Sequence, residues 1–136
     1  MKRQRLGIAA ALLLLLAACG VLSAEKLVLP KAEDLESITV TVDSLDLTVT
    51  GGDSIVQILD LLKQSVKGNT GRPSVQDIPS EKAELARIDF HFRAGGTGTI
   101  FLYREGAELL LEQPYRGIYE MDEALELDSL GTIKQE

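Results

Sequence analysis

The sequence predicts an α+β domain: a mostly antiparallel β-sheet of four to six strands, with one amphipathic helix packed on one face and the elements in ββαβββ order. Three observations point there. Apolar and polar residues alternate with period two across Ile38–Val49 and again across Ile88–Phe92, the signature of strands with one buried face. Between those blocks, Ile55, Ile58, Leu59, Leu62 and Val66 recur at spacings of three and four, as a helix with one apolar stripe requires. Once an N-terminal export segment is set aside, the remaining chain is long enough for one hydrophobic core and no more.

The export segment comes first. Lys2, Arg3 and Arg5 precede an apolar run, Leu6–Leu16, of 11 residues. A spanning helix needs about 20, and a short apolar core after a basic start is the shape of a secretory signal. The run ends in Leu16-Ala17-Ala18-Cys19-Gly20, which resembles the lipobox of bacterial lipoproteins. That resemblance implies a diacylglyceryl group on the Cys19 thiol and cleavage between Ala18 and Cys19. One acyl chain binds a membrane only marginally and stable anchoring takes two, which a diacylglyceryl group supplies on a single residue. The expected organisation is a lipoprotein signal peptide over 1–18, a lipidated tether over 19–25 and a single domain over 26–136.

Within the domain, Lys26–Leu29 is expected as a brief edge strand stopped by Pro30. Asp43-Ser44 falls between the runs Ile38–Val42 and Leu45–Val49 and reads as the tight turn of a hairpin with one buried face. Gly51-Gly52-Asp53 ends the second strand, and Asp53 is placed to cap a helix over Ser54–Lys67. Lys63 and Lys67 suit the dipole at the end of that helix, and Gly68 suits its C-cap. Asn69–Glu84 contains Gly71, Pro73 and Pro79 and is expected as a long connection. Structureless loops beyond about 12–15 residues are uncommon and often functional. Strands are expected again over Arg87–Arg93, Thr99–Tyr103 and Ala107–Glu112, joined at Gly95-Gly96 and Glu105-Gly106, with Pro114 closing the last. Thr99–Tyr103 carries apolar residues on both faces. Asp122–Ser129 is expected as a short terminal helix.

Charge and composition narrow the function. Without residues 1–18 the chain has 118 residues, with 11 basic and 21 acidic side chains and a net charge of −10. Such a surface repels nucleic acid and anionic headgroups. Nucleic acid is therefore not an expected partner, and membrane contact is expected from the acyl anchor and not from a basic patch. Cys19 is the sole cysteine and His91 the sole histidine, so the mature domain holds no intrachain disulfide and no Cys/His zinc site. Gly95-Gly96-Thr97-Gly98 joins two strands, whereas phosphate-cradling loops lead into a helix. The acidic groups Asp43 with Asp46, and Asp122, Glu123, Glu126 and Asp128, lack the spacing of a calcium loop and read as solvated surface. No cofactor and no metal is expected.

Two constellations remain. His91 and Asp89 share a strand face, flanked by Arg87 and Arg93, and a nucleophile would have to come from Ser74 or Ser80. A catalytic triad is defined by geometry, which a sequence does not supply. Period two sends Ile88, Phe90 and Phe92 inward and His91 outward, so this group reads as a solvated face and His91 is expected to do no catalytic work. The second constellation is Tyr115, Arg116 and Tyr119 around Gly117. Tyrosine and arginine are the usual anchors of binding surfaces, while buried tyrosines also lid a core and bond through their hydroxyls. With Ser74 and Asp77 of the long connection, these three form the candidate ligand or partner surface.

Several segments together resemble a family of uncharacterised lipoproteins and lipoprotein-like domains from Gram-positive bacteria. They are Leu29-Pro30, Ser74-Val75-Gln76-Asp77-Ile78-Pro79, Ile88-Asp89-Phe90, Ile100-Phe101-Leu102-Tyr103 and Glu112-Gln113-Pro114-Tyr115-Arg116-Gly117-Ile118-Tyr119. The resemblance spans Leu27 to Tyr119, and it implies a fold and a location without an activity. The expected function is a lipid-anchored, non-enzymatic module on the outer face of the cytoplasmic membrane that binds an envelope protein or a small ligand. The alternative is a small extracytoplasmic hydrolase using His91 with a loop serine.

Overall fold

A computed structural model of the chain describes residues 26–75, 78–79 and 83–125, the side chains of 83–85 excepted. Strands β1 (Leu35–Val42) and β2 (Leu45–Val49) are followed by one helix, α1 (Gly52–Ser65). Then come β3 (Val66–Asn69), β4 (Ala83–Phe92), β5 (Thr97–Glu105), β6 (Glu108–Gln113) and β7 (Gly117–Met121). All seven belong to one sheet in the order β2-β1-β4-β5-β6-β7-β3, and every neighbouring pair is antiparallel. The architecture is the α+β one expected. The strand count among the described residues is seven and not four to six, because β3 and β7 lie in what reads as helix end and loop.

The hairpin turn is chemically simple. Asp43 and Ser44 both take left-handed backbones, at φ 50° and 66°, which is the type I′ geometry whose twist matches that of the strands. The buried face along the hairpin is shorter than expected. Ile38, Val40 and Val49 are buried, while Leu45 at the tip is 77% exposed, since no described element reaches over it.

Helix α1 starts at Gly52 and its N-cap is Gly51, with no side-chain cap bond. Asp53 thus sits inside the first turn, where its charge favours the dipole, instead of capping it. The helix also ends early. Ser65 Oγ donates to Leu61 O at 2.7 Å, and Val66 turns extended to pair with Met121 of β7. Lys67 and Gly68 are strand residues here. A ladder to β7 outweighs the two further residues that the helical period would have allowed, as tertiary pairing commonly overrides propensity.

The main core lies between α1 and the sheet. Ile55, Ile58, Leu59 and Leu62 pack against Ile38, Val40, Ile88, Phe90, Ile100, Leu102, Leu111 and Met121. A second cluster, Phe101, Tyr103, Leu110 and Ile118, is buried on the opposite face. Its cover is the start of the long connection. Thr70 donates to Ile118 O through both its N–H at 3.0 Å and its hydroxyl at 2.7 Å, and Ser74 is buried. Lys26–Pro30 forms no strand. Asp122–Leu125 forms a turn, and the rest of the expected terminal helix lies outside the described residues.

Candidate functional site

On the outer face of β1, β2 and β4 the polar residues bond one another. His91 Nε2 lies 3.0 Å from Thr39 Oγ1 and its Nδ1 lies 3.3 Å from Thr97 Oγ1. Asp89 accepts from Thr99 Oγ1 at 2.6 Å and pairs with Arg87 Nε at 3.1 Å. Asp89 is thus engaged away from the imidazole, and both ring nitrogens meet threonines. Arg93 leaves the face altogether and donates to Glu33 O at 3.2 Å. Ser74 bonds elsewhere, to Glu112, and Ser80 lies outside the described residues, so the hydroxyls at His91 are those of Thr39 and Thr97 and not of a loop serine.

Ser74 belongs to a buried chain of hydrogen bonds. Glu112, only 1% exposed, accepts from Tyr103 Oη at 2.8 Å and from Ser74 Oγ at 2.9 Å. Ser74 Oγ in turn accepts from the Tyr115 N–H at 3.3 Å. Burial, with the Glu112 carboxylate beside it, pushes the Tyr103 phenol well above its ordinary value of 10.0, because neither permits a second negative charge there. A carboxylate in an apolar cluster requires such donors to persist.

The end of that chain is an exposed aromatic. Gln113–Arg116 is a β-turn closed by Arg116 N–H to Gln113 O at 2.9 Å, with Pro114 at its second position. Tyr115, at the third, has φ 61°. This is the type II pattern, which strongly favours glycine at that position. A bulky residue held there is a genuine outlier, and such strain persists where its surroundings over-determine it. Here the bond to Ser74 helps to hold it, while Tyr115 stands 66% exposed.

Tyr115 and Arg116 border a groove of about 530 Å³, which Phe92, Pro114 and the segment Val28–Pro30 also line. Its inner wall is an interruption in the sheet. The β5–β6 ladder begins at Phe101↔Glu112, so among the described residues Thr97, Gly98, Thr99 and Ile100 pair only with β4. Alternate residues of that stretch therefore direct N–H and C=O groups into the groove. Gln113 Nε2 donates across the gap to Val28 O at 3.1 Å. Its other amide atom, Oε1, is buried without a hydrogen-bond partner among the described residues, and an unsatisfied buried acceptor asks for an explanation.

The structure divides the candidate surface. Tyr115 and Arg116 line the groove. Ser74, 7% exposed, and Tyr119, 1% exposed, belong to the interior, where Tyr119 points to the helix side of β7 as strand alternation demands. Asp77 and Cys19 lie outside the described residues. Sequence reasoning missed Glu112, Gln113 and the open edge of β5. Glu112 was detectable as an acid inside the run Leu109-Leu110-Leu111-Glu112, whereas an interrupted ladder leaves no local signal. Among the described residues no three His, Cys, Asp or Glu side chains gather to hold a metal, and no helix is long and apolar enough to cross a membrane.

Comparison with known proteins agrees with the fold. The family DUF5301, described as a domain of unknown function (DUF5300), matches residues 23–120. A solved structure described as the NMR structure of the protein from Ruminococcus gnavus is 34% identical, covers 71% of this chain and 91% of that one, and superposes with a TM-score of 0.59. No curated protein matches.

Proposed function

The chain belongs to the DUF5301 family, whose description carries no activity, and we propose that it is a non-enzymatic binding module, lipid-anchored through Cys19 on the outer face of the cytoplasmic membrane. Its ligand is an extended peptide segment of an envelope protein, taken in the groove beside Tyr115 and Arg116. The observation that carries this reading is the open edge of β5. A peptide in extended form supplies donors and acceptors in alternation, which is what Thr97–Ile100 present, and strand addition to an exposed edge is a recurrent mode of peptide recognition. An N–H from the same segment would satisfy Gln113 Oε1. Arg116 at the rim favours a peptide with a carboxylate, and the apolar surfaces of Phe92, Pro114 and Tyr115 favour an apolar neighbour to it. The lipoprotein assignment is supported by the sequence of Leu16–Cys19 and the basic residues before it.

Two experiments test the two halves separately. For the anchor, Cys19→Ser should leave an unprocessed precursor or release the protein from membranes. A lipid-bearing, normally processed Cys19→Ser protein would refute it. For the groove, a photoreactive side chain replaces Val28, which lines the groove, or Leu45, at the far hairpin tip. Adducts in intact cells should form from position 28 and not from 45. They should vanish with Arg116→Glu or with Gly98→Val, since a Cβ added at Gly98 would already lie 3.4 Å from the Phe92 ring. Equal adducts from both positions, none from position 28, or adducts indifferent to both substitutions would sink the reading.

A further inference from the structure

Three lysines of this acidic chain meet at a second recess, on the β3 side of the sheet. Lys63 in the last turn of α1, Lys67 in β3 and Lys26 ahead of β1 surround about 480 Å³ of space, with Leu27, Val66 and Tyr119 as apolar lining. Ordinary strand alternation would send Lys67 to the face opposite Val66. The β3–β7 ladder instead shifts between Val66 and Gly68, which leaves Lys67 as an extra residue between the pairs Val66↔Met121 and Gly68↔Glu120. A bulge of this kind re-aims a side chain, and here it brings Lys67 to the recess that Lys63 and Tyr119 also line.

None of the three ammonium groups has an ion-pair partner among the described residues. In a chain with 21 acidic side chains, three lysines around one recess with no carboxylate among its lining residues run against the composition. The helix dipole accounts for part of this, since cations suit a helix C-terminus. It does not account for Lys26, which lies outside the helix. One of the terminal carbonyls is moreover already occupied: Ser65 O accepts from the Asp122 N–H at 2.6 Å. That reduces the repulsion an incoming anion would meet.

We propose that this recess binds a phosphate group, carried by an anionic lipid headgroup or by a small soluble phosphoester. Lysine is a compact point charge with three donors, well suited to phosphate. The apolar lining receives the carbon skeleton that bears it. Net charge averages over the whole surface, so the composition alone predicts no basic contact with a membrane. The fold concentrates three of the basic residues at one place. The proposal is independent of the β5 groove and of the anchor at Cys19.

The test uses the ¹⁵N-labelled full chain in dodecyl maltoside micelles, titrated with inorganic phosphate against chloride at constant ionic strength. Phosphate should move the amides of Lys67, Gly68 and Asn69 along a saturating curve that chloride does not reproduce. The combined substitution Lys26→Gln, Lys63→Gln, Lys67→Gln should abolish those shifts while the amides of Ile88 and Phe101 stay in place, which shows the fold intact. Phosphatidylglycerol added to the micelles identifies a lipid source if it moves the same amides. Shifts with glycerol 1-phosphate and none with the lipid identify a soluble source. An unmoved spectrum, shifts that chloride reproduces, or shifts that survive the triple substitution would overturn the proposal.

Discussion

Across β1, β2 and β4 the outer face of the sheet carries Thr39, Thr41, Asp46, Thr48, Arg87, Asp89 and His91, whose side chains bond one another in reach of water. Across β5, β6 and β7 the same face carries Phe101, Tyr103, Leu110 and Ile118, closed off around one carboxylate. The first half follows the usual economy of an antiparallel sheet, with one face buried and one wet. The second half is buried on both faces and requires a lid, which the start of the 70–82 connection supplies. Burial on both faces gives Glu112 a dry setting, and the hydrogen bonds that setting demands run out through Ser74 to the backbone of Tyr115. In this protein the double burial is what fixes the shape of the groove.

The largest expected difference between the halves is in packing. Leu110→Ala should cost about 2–5 kcal/mol, as for other buried leucines, whereas Thr48→Ala, on the exposed polar face, should cost under about 0.5 kcal/mol. Urea melts of the two variants compare them directly, and similar losses would mean that the second cluster is not a core. Removing the carboxylate comes next. Glu112→Ala removes the acceptor to which the Tyr103 and Ser74 hydroxyls donate, at roughly 1–3 kcal/mol each, and Glu112→Gln should recover part of the loss because one acceptor oxygen remains.

Alkali separates the halves in a different way. The Tyr103 phenol is held above its ordinary value in the folded state, so the unfolded chain loses that proton first. Its contribution is intact below about pH 10 and declines above it by about 1.4 kcal/mol per pH unit until the folded phenol also ionises. Stability against pH from 8 to 12 should show this fall, and Tyr103→Phe should remove that component of it. A smaller effect is expected at the turn. Tyr115→Gly relieves a left-handed backbone, worth on the order of 1 kcal/mol, so the variant should melt no earlier than the parent while losing the Val28 crosslink. Loss of stability there would mean that the ring packs for structure.

Much of this was legible in the sequence, and the reasons differ by region. Period two located β1, β2 and β4 and turned His91 outward, because a strand with one wet face alternates. Period three-to-four located α1, whose Ile55, Ile58, Leu59 and Leu62 are all buried. The ends of α1 were not legible, since Val66 continues the stripe and only its pairing with Met121 shows that it has left the helix. Strand β7 is short, and Tyr115 occupies a turn position where glycine is the expected signal, so the hairpin it forms with β6 was concealed. Of the candidate site, the residue types at Tyr115 and Arg116 were readable. The role of Ser74 was not, because a serine that donates to a buried glutamate looks the same in sequence as one that faces a ligand.

The claim that ties the two halves together is that the buried network holds the Tyr115 turn. Amide hydrogen exchange at Tyr115 tests it most directly. Its N–H donates to Ser74 Oγ, so it should exchange slowly in the parent protein. Ser74→Ala should speed that exchange while the amide of Ile88, in β4, keeps its protection. A Tyr115 amide that already exchanges at the rate of an unstructured chain, or one that Ser74→Ala leaves unchanged, would contradict the account.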